Sequence, residues 1–124
     1  MIRILLVEDN ELNRDMLSRR LQRKGYLVVT ANDGNAALNL MREEQPAIVL
    51  LDMNLPIKDG WSVLDEAKED PTIAHIPIIA LTAHAMEEDR QRARVAGCND
   101  YETKPIDLPL LLAKINKLTN NNAY

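Results

Sequence analysis

The sequence predicts an α/β fold built on a parallel sheet, and two observations support that prediction. Residues 47–52 read AIVLLD, an uninterrupted apolar run with β-branched members that ends on a carboxylate. Such a run is typical of a strand buried on both faces, as parallel sheets require. Strand-like and helix-like stretches also alternate along the chain, which indicates helices on both faces of the sheet. We therefore expect a doubly wound sheet of five parallel strands.

Local signals justify each of the five βα units. The predicted strands cover residues 2–7, 26–31, 47–51, 76–81 and 98–102, and the predicted helices cover about 11–24, 35–44, 60–69, 86–96 and 107–118. Gly25 and Gly97 occupy the position that follows a helix end. Pro46 and Pro71 each stop the helix before them, and Asp107 is a good cap for the last helix. One domain is expected over residues 1–119, with residues 120–124 as a disordered tail.

Composition excludes several classes of protein. The 124 residues carry a net charge of −4 without a basic block, so direct binding of nucleic acid is not expected. No apolar run reaches the roughly 18 residues of a membrane span. Cys98 is the only cysteine, which excludes an internal disulfide and fits a reducing compartment. The sequence therefore predicts a cytoplasmic protein.

Acidic residues follow two of the predicted strands. Glu8 and Asp9 come directly after the first strand, and Asp52 follows the third. Ligands of open parallel sheets bind beyond the carboxyl ends of the strands, so these acids stand where chemistry usually occurs. Three carboxylates at one edge would form a site for a hard divalent cation.

Further residues at the strand ends complete a recognisable set. Thr82 follows the fourth strand, Lys104-Pro105 follow the fifth, and Tyr101 lies three residues before the lysine. With the three acids, they make residues 2 to about 118 resemble a response-regulator receiver domain, the phosphoacceptor module of two-component signalling. The resemblance implies a flavodoxin-like sheet with strand order 2-1-3-4-5.

The resemblance also implies a role for each site residue. Asp52 would accept a phosphoryl group from a histidine kinase or a histidine phosphotransfer protein. Mg²⁺, or Mn²⁺, would be bound by Asp9, Asp52, the main-chain carbonyl of Asn54 and, through water, Glu8. Lys104 would supply a second cation, with a cis Lys104-Pro105 bond directing it toward the acids. Thr82 would hydrogen-bond a phosphoryl oxygen and act with Tyr101 as a switch.

Other interpretations of these residues exist. Taken singly, each acid could be a helix cap or a solvated loop residue, and Lys104 could be a surface lysine. A magnesium-dependent aspartyl-phosphate hydrolase of the haloacid-dehalogenase type is the main alternative function, although it requires a second Asp where Asn54 stands. A flavin carrier would need a phosphate loop in place of Glu8 and Asp9. We expect no enzyme activity beyond the chain's own magnesium-dependent phosphorylation and dephosphorylation.

The first predicted helix presents two apolar stripes. Leu17 and Leu21 lie close together at 100° per residue, whereas Leu12 and Met16 lie about 140° away. Leu12 and Met16 could belong to a broad buried face, or they could form a docking patch for the kinase or phosphotransfer protein. With no output domain expected, signalling would require binding to a downstream protein. We expect a monomer, for which the resemblance allows a weak dimer on phosphorylation.

Overall fold

The structure is a computed structural model that describes residues 2–83 and 86–120. Five strands alternate with five helices along the chain. The strands are β1 (Arg3–Val7), β2 (Leu27–Ala31), β3 (Ile48–Asp52), β4 (Ile78–Thr82) and β5 (Asp100–Thr103). The helices are α1 (Glu11–Arg23), α2 (Gly34–Glu44), α3 (Gly60–Glu69), α4 (Glu87–Ala96) and α5 (Leu108–Asn120).

The strands form one parallel sheet in the order β2-β1-β3-β4-β5. Strand β1 pairs with β2 on one side and with β3 on the other, so the order reverses between β1 and β3. This reversal opens a crevice at the carboxyl edge of the sheet, the usual ligand site of such folds. The fold class and the strand order predicted from the sequence are confirmed.

Side chains that alternate along the central strands fill two cores, one on each face of the sheet. From β1, Leu5 and Val7 face the core under α2, α3 and α4, whereas Ile4 and Leu6 face the core under α1 and α5. This alternation follows from the two-residue period of a strand. Strands β3 and β4 are buried along their whole length, which explains their continuous apolar sequence.

Acidic and amide side chains cap four of the helices. Asn10, Asp33 and Asp59 each accept a hydrogen bond from a backbone N–H in the first turn of α1, α2 and α3. Asp107, predicted as a cap, accepts one from the Leu110 amide at the start of α5. These bonds satisfy donors that have no partner within the helix. None of the helices in the described part of the chain is long and apolar enough to cross a membrane.

Three boundaries differ by two residues from those predicted, and the others agree to within one residue. Strand β4 begins at Ile78, two residues late, because Pro77 has no N–H to contribute to the ladder. Strand β5 begins at Asp100 because Asn99 bonds with Ile78 through its side chain and its amide, outside the strand. Helix α5 extends to Asn120, which the sequence assigned to the tail, and residues 121–124 lie outside the described part.

Candidate functional site

The predicted site residues meet at the carboxyl edge of the sheet. Strand β1 ends at Val7, so Glu8 and Asp9 follow at the edge. Asp52 is the last residue of the neighbouring β3 and lies opposite Leu81 of β4. Thr82 is the residue that follows Leu81. Lys104 directly follows β5, and its amide donates to the carbonyl of Thr82 at 2.8 Å. The switch point between β1 and β3 therefore holds the acids, with the lysine and the threonine beside them.

Three carboxylates form a compact cluster in the crevice. Carboxylate oxygens of Glu8, Asp9 and Asp52 all lie within 4.8 Å of one another. Glu8 and Asp52 are buried, whereas Asp9 is exposed. Oxygen ligands from carboxylates, supplemented by water on an exposed side, are the donors that Mg²⁺ prefers. The cluster has the chemistry of a site for a hard divalent cation.

Lys104 joins the two buried acids. Its Nζ donates to Glu8 Oε1 at 3.1 Å and to Asp52 Oδ2 at 3.0 Å. The other Asp52 oxygen accepts the backbone N–H of Asn54 at 3.0 Å. The Lys104-Pro105 bond is cis, as the sequence resemblance implied. The ion pair from Lys104 to Glu8 was not predicted, because the sequence analysis gave Glu8 only a water-mediated contact with the metal.

The charges of the cluster depend on one another. Burial raises the pKa of Glu8, the hydrogen bond with Asp52 raises it further, and Lys104 lowers it in part. Burial alone would lower the pKa of Lys104, but its bonds to Asp52 and Glu8 outweigh burial, so its pKa is raised. Lys104 is therefore an ammonium ion at neutral pH, and it offsets part of the repulsion between the acids.

Thr82 and Tyr101, which the sequence paired as a switch, lie against the same cavity. The Thr82 side chain is buried at the end of β4, and Tyr101 is half-buried on β5. Burial raises the pKa of the Tyr101 phenol, whose hydroxyl is buried without a hydrogen-bond partner among the residues that the structure describes. The cavity measures about 230 Å³ and is lined by Met53, Asn54, Trp61, Thr82, Asp89, Arg92 and Tyr101. The structure thus brings the two residues together beside the Asp52 loop.

Two arginines of α4 lie over aromatic rings at this cavity. The guanidinium of Arg92 lies 3.9 Å from the centre of the Trp61 ring. This contact joins α3 to α4. Arg90 lies 5.4 Å from the centre of the Tyr101 ring. Such cation–π contacts are attractive and orient the side chains. The sequence did not reveal them, because they depend on how α3 and α4 pack.

The two apolar stripes of α1 differ in exposure, so Leu12 and Met16 do not belong to a broad buried face. Leu21 is buried, whereas Leu12 and Met16 are exposed. A groove of about 570 Å³ runs beside the acids and is lined by Glu8, Asn13, Met16, Leu17, Arg20, Leu81, Lys104, Pro105 and Ile106. Met16 therefore borders the groove that leads to Lys104, while Leu12 is not among its lining residues.

A second buried ion pair lies behind the site. Glu102 of β5 is buried, and its Oε2 accepts from Lys114 Nζ of α5 at 2.8 Å. The same Nζ donates to the carbonyl of Tyr101 at 2.6 Å. This pair was not predicted from the sequence. An acid on the inward face of a strand requires a cation. The lysines of the last helix were the sequence feature that could have indicated the partner of Glu102.

Known proteins resemble this chain over most of its length. The family model described as the response regulator receiver domain matches residues 4–116. The chain is 39% identical over 112 residues to the polar-differentiation response regulator DivK of Brucella anthropi, which covers 90% of this chain and 91% of that protein. The family match includes every residue of the candidate site, from Glu8 to Lys104.

Solved structures show the same architecture. The chemotaxis protein CheY4 of Vibrio cholerae superposes with a TM-score of 0.88 at 28% identity, covering 95% of this chain and 98% of that one. The receiver domain of the sensor histidine kinase PA1611 from Pseudomonas aeruginosa has a TM-score of 0.89 at 34% identity, covering 97% and 98%. That structure holds a magnesium ion in its active site cleft. The chain belongs to the response regulator receiver domain family.

Proposed function

We propose that Asp52 is the residue of this receiver that accepts a phosphoryl group from the phosphohistidine of a histidine kinase or a phosphotransfer protein. The observation that supports this most is the position of its carboxylate at the switch point. One oxygen is held by the Lys104 ammonium and the other by the Asn54 amide. A nucleophile fixed in this way has already lost the orientational freedom that an in-line attack would otherwise remove.

The residues around Asp52 fit the demands of phosphoryl transfer. A carboxylate oxygen of Asp52 forms the new P–O bond, while the P–N bond of phosphohistidine breaks and the imidazole nitrogen leaves with the electron pair. Negative charge is then spread over the equatorial phosphoryl oxygens, so positioning and cations dominate the catalysis. We assign Lys104 to donate to one of these oxygens and the Thr82 hydroxyl to donate to another.

The donor set of the crevice fits a divalent cation. We assign Asp9 and Asp52 as direct ligands of Mg²⁺ or Mn²⁺, with the Asn54 carbonyl as a third ligand and Glu8 acting through water. The clustering of the three carboxylates supports this assignment, as does the magnesium ion of the PA1611 receiver. When bound, the cation would neutralise charge on the acids and on the transferring group.

The hydrolase alternative finds no support. An enzyme of the haloacid-dehalogenase type needs a second aspartate two residues after its nucleophile, and Asn54 occupies that position. The family match covers 113 residues, 4–116, and is to a signalling module. We therefore propose that the chain turns over no external substrate and assists only its own phosphorylation and dephosphorylation.

We further propose that Thr82 and Tyr101 transmit the phosphorylated state to a downstream protein. Thr82 would move toward the phosphoryl oxygen, and the Tyr101 ring would turn into the space this movement opens. Because Arg90 lies over that ring, the rotation would reach the surface of α4. Thr82→Ala should therefore accept phosphate at Asp52 without the chemical-shift changes over residues 86–118 that the wild type shows with a phosphoryl mimic.

The groove beside α1 is our candidate surface for the donor protein. Met16 borders it next to Lys104, and Leu12 is exposed on the same helix.

We expect a monomer in the cytoplasm, and the single buried, unpaired Cys98 fits a reducing compartment.

Intact-mass analysis with phosphoramidate, a small phosphodonor, tests the assignment of Asp52. The wild type should gain one phosphoryl group in the presence of Mg²⁺ and none after chelation. Asp52→Asn should gain none, because the amide is a poor nucleophile, whereas Asp59→Asn serves as a control at the next loop acid. Modification that persists in Asp52→Asn would overturn the assignment.

A further inference from the structure

Ile57 combines two features that are unfavourable within the chain. Its φ is +68°, and its side chain is 87% exposed. The amide of Lys58 donates to the carbonyl of Pro56 at 2.7 Å, so Ile57 is the central residue of a γ-turn with positive φ. Turns of this kind are rare and strained, and a β-branched residue is an outlier in the left-handed region.

The loop that carries Ile57 is fixed on both sides. The Gly60 amide donates to the Met53 carbonyl at 3.2 Å and closes the loop. Lys58 forms an ion pair with Glu66 of α3. The carbonyl oxygen of Lys58 also packs closely on α2, since a Cβ atom added at Gly34 would lie 2.5 Å from it. A strained residue persists when its surroundings determine its conformation in this way.

Nothing within the described chain explains an isoleucine at this position. Asparagine or glycine would adopt the positive φ more easily, and a polar residue would suit the exposed tip. Leu55 of the same loop is buried in the core, so Ile57 is not needed to anchor the loop. Backbone strain of this kind clusters at functional sites, so strain and exposure together indicate a side chain selected for a contact outside the chain.

We infer that Ile57 is a contact residue for the protein that donates the phosphoryl group, an inference that rests on the proposed function of Asp52. The loop begins directly after Asp52, at the carboxyl edge of the sheet. Asp52 is buried, so a donor histidine can reach it only if the donor's surface covers the rim of the crevice. A fixed, apolar side chain on that rim would fit a shallow apolar depression beside the donor histidine.

The position of Ile57 distinguishes the donor from other partners. The proposed output of the receiver passes through Thr82 and Tyr101 to α4, and Ile57 lies on the loop after β3 instead. A downstream target that reads α4 need not touch this loop, whereas a donor must approach the crevice that the loop borders. The rigid loop also presents the side chain without a loss of loop entropy on binding.

Phosphotransfer kinetics with the variant Ile57→Asn test this inference. The donors are the purified histidine kinases and phosphotransfer proteins of the source organism. Each kinase is phosphorylated with radiolabelled ATP, and each phosphotransfer protein is phosphorylated by one of these kinases. The donor that the wild type uses fastest is taken forward. Asparagine tolerates the left-handed conformation, so the melting temperature should stay equal or rise by about 3 °C. Transfer from the donor protein should slow by about tenfold in kcat/KM, mainly through KM. The control is Leu27→Thr, an exposed apolar residue at the amino end of β2, for which transfer should be unchanged.

The outcomes separate this inference from the assignment of Asp52. Suppose that phosphoramidate modifies Asp52 in both the wild type and Ile57→Asn. If the donor then transfers equally fast to both proteins, or if no donor transfers to the wild type, the inference on Ile57 is wrong and the assignment of Asp52 stands. A lowered melting temperature would show a structural role and also overturn it. Loss of a wild-type dimer in sedimentation, with unchanged transfer, would assign Ile57 to self-association instead. If phosphoramidate leaves Asp52 of the wild type unmodified, both proposals fail.

Discussion

Lys104→Met removes the cation between the two buried acids and keeps an aliphatic side chain of similar length. The ammonium lies 3.1 Å from Glu8 and 3.0 Å from Asp52, whose side chains are 8% and 4% exposed. Water can replace the lost hydrogen bonds only in part, and bonds to charged groups contribute about 1.5–3 kcal/mol each. Lys104 is itself 29% exposed, and its removal also relieves its own desolvation. We therefore expect the free energy of unfolding to fall by about 2–3 kcal/mol at neutral pH without divalent cations.

This loss should grow as the pH rises. The pKa of Glu8 is raised by burial and by Asp52, and Lys104 is the group that lowers it. In Lys104→Met the pKa of Glu8 in the folded state therefore rises further. Stability from a carboxyl with a raised folded-state pKa is fully present below its unfolded value, 4.5, and is lost as the pH rises through the folded value. The difference between variant and wild type should be small near the unfolded value and largest at neutrality.

Urea denaturation, followed by circular dichroism with and without Mg²⁺, measures both effects. Mg²⁺ should stabilise Lys104→Met more than the wild type, because the cation binds only the folded state and replaces the missing charge. Lys58→Met is a matched control, since Lys58 is similarly exposed but pairs with the exposed Glu66. Its loss should stay below about 1 kcal/mol and be independent of Mg²⁺. A loss in Lys104→Met that changes with neither pH nor Mg²⁺ would refute the reasoning.

Two further predictions concern the proposed metal ligands and the ion pair between Lys114 and Glu102. Asp9→Ala should weaken Mg²⁺ binding by about tenfold or more in isothermal titration, while Lys104→Ala should keep or raise the affinity by removing a competing cation; the reverse order would contradict the proposed ligands. Lys114→Met should lower the free energy of unfolding by about 2–3 kcal/mol because Glu102 is left buried without its cation, and adding Glu102→Leu should restore most of it. Independent, additive losses in the double variant would show that the pair is not coupled.

The sheet was predictable because its signals are local and redundant. Apolar runs end on polar residues at the first four strands, and glycine, proline or a capping side chain marks most of the helix ends. The boundaries were less predictable. The start of β4 depends on the missing N–H of Pro77, and the start of β5 depends on the side chain of Asn99, which bonds across to Ile78. The bonds between Asn99 and Ile78 join residues 21 positions apart, so no local pattern reveals them, whereas Pro77 was readable from the sequence.

The site was predictable in its membership but not in its internal contacts. The carboxyl ends of parallel strands must meet at one edge, so the spacing of the acids, Thr82 and Lys104 was enough to bring them together. The pairing of Lys104 with Glu8 depends on side-chain geometry that only the folded chain defines. Ile57 shows the same limit, because its sequence context gives no sign of a positive φ.

The ion pair behind the site limits how the proposed switch can work. Strand β5 carries Tyr101 and, directly after its end, Lys104, so a shift of the strand would disturb the acids as well as the ring. Lys114 binds both the Tyr101 carbonyl and the Glu102 carboxylate, and it thereby fixes the strand backbone from the side of α5. Rotation of the Tyr101 ring, on the face toward α4 where Arg90 lies over it, does not require the strand to shift. In the proposed switch, phosphorylation would then change the α4 surface while Lys104 stays beside Asp52.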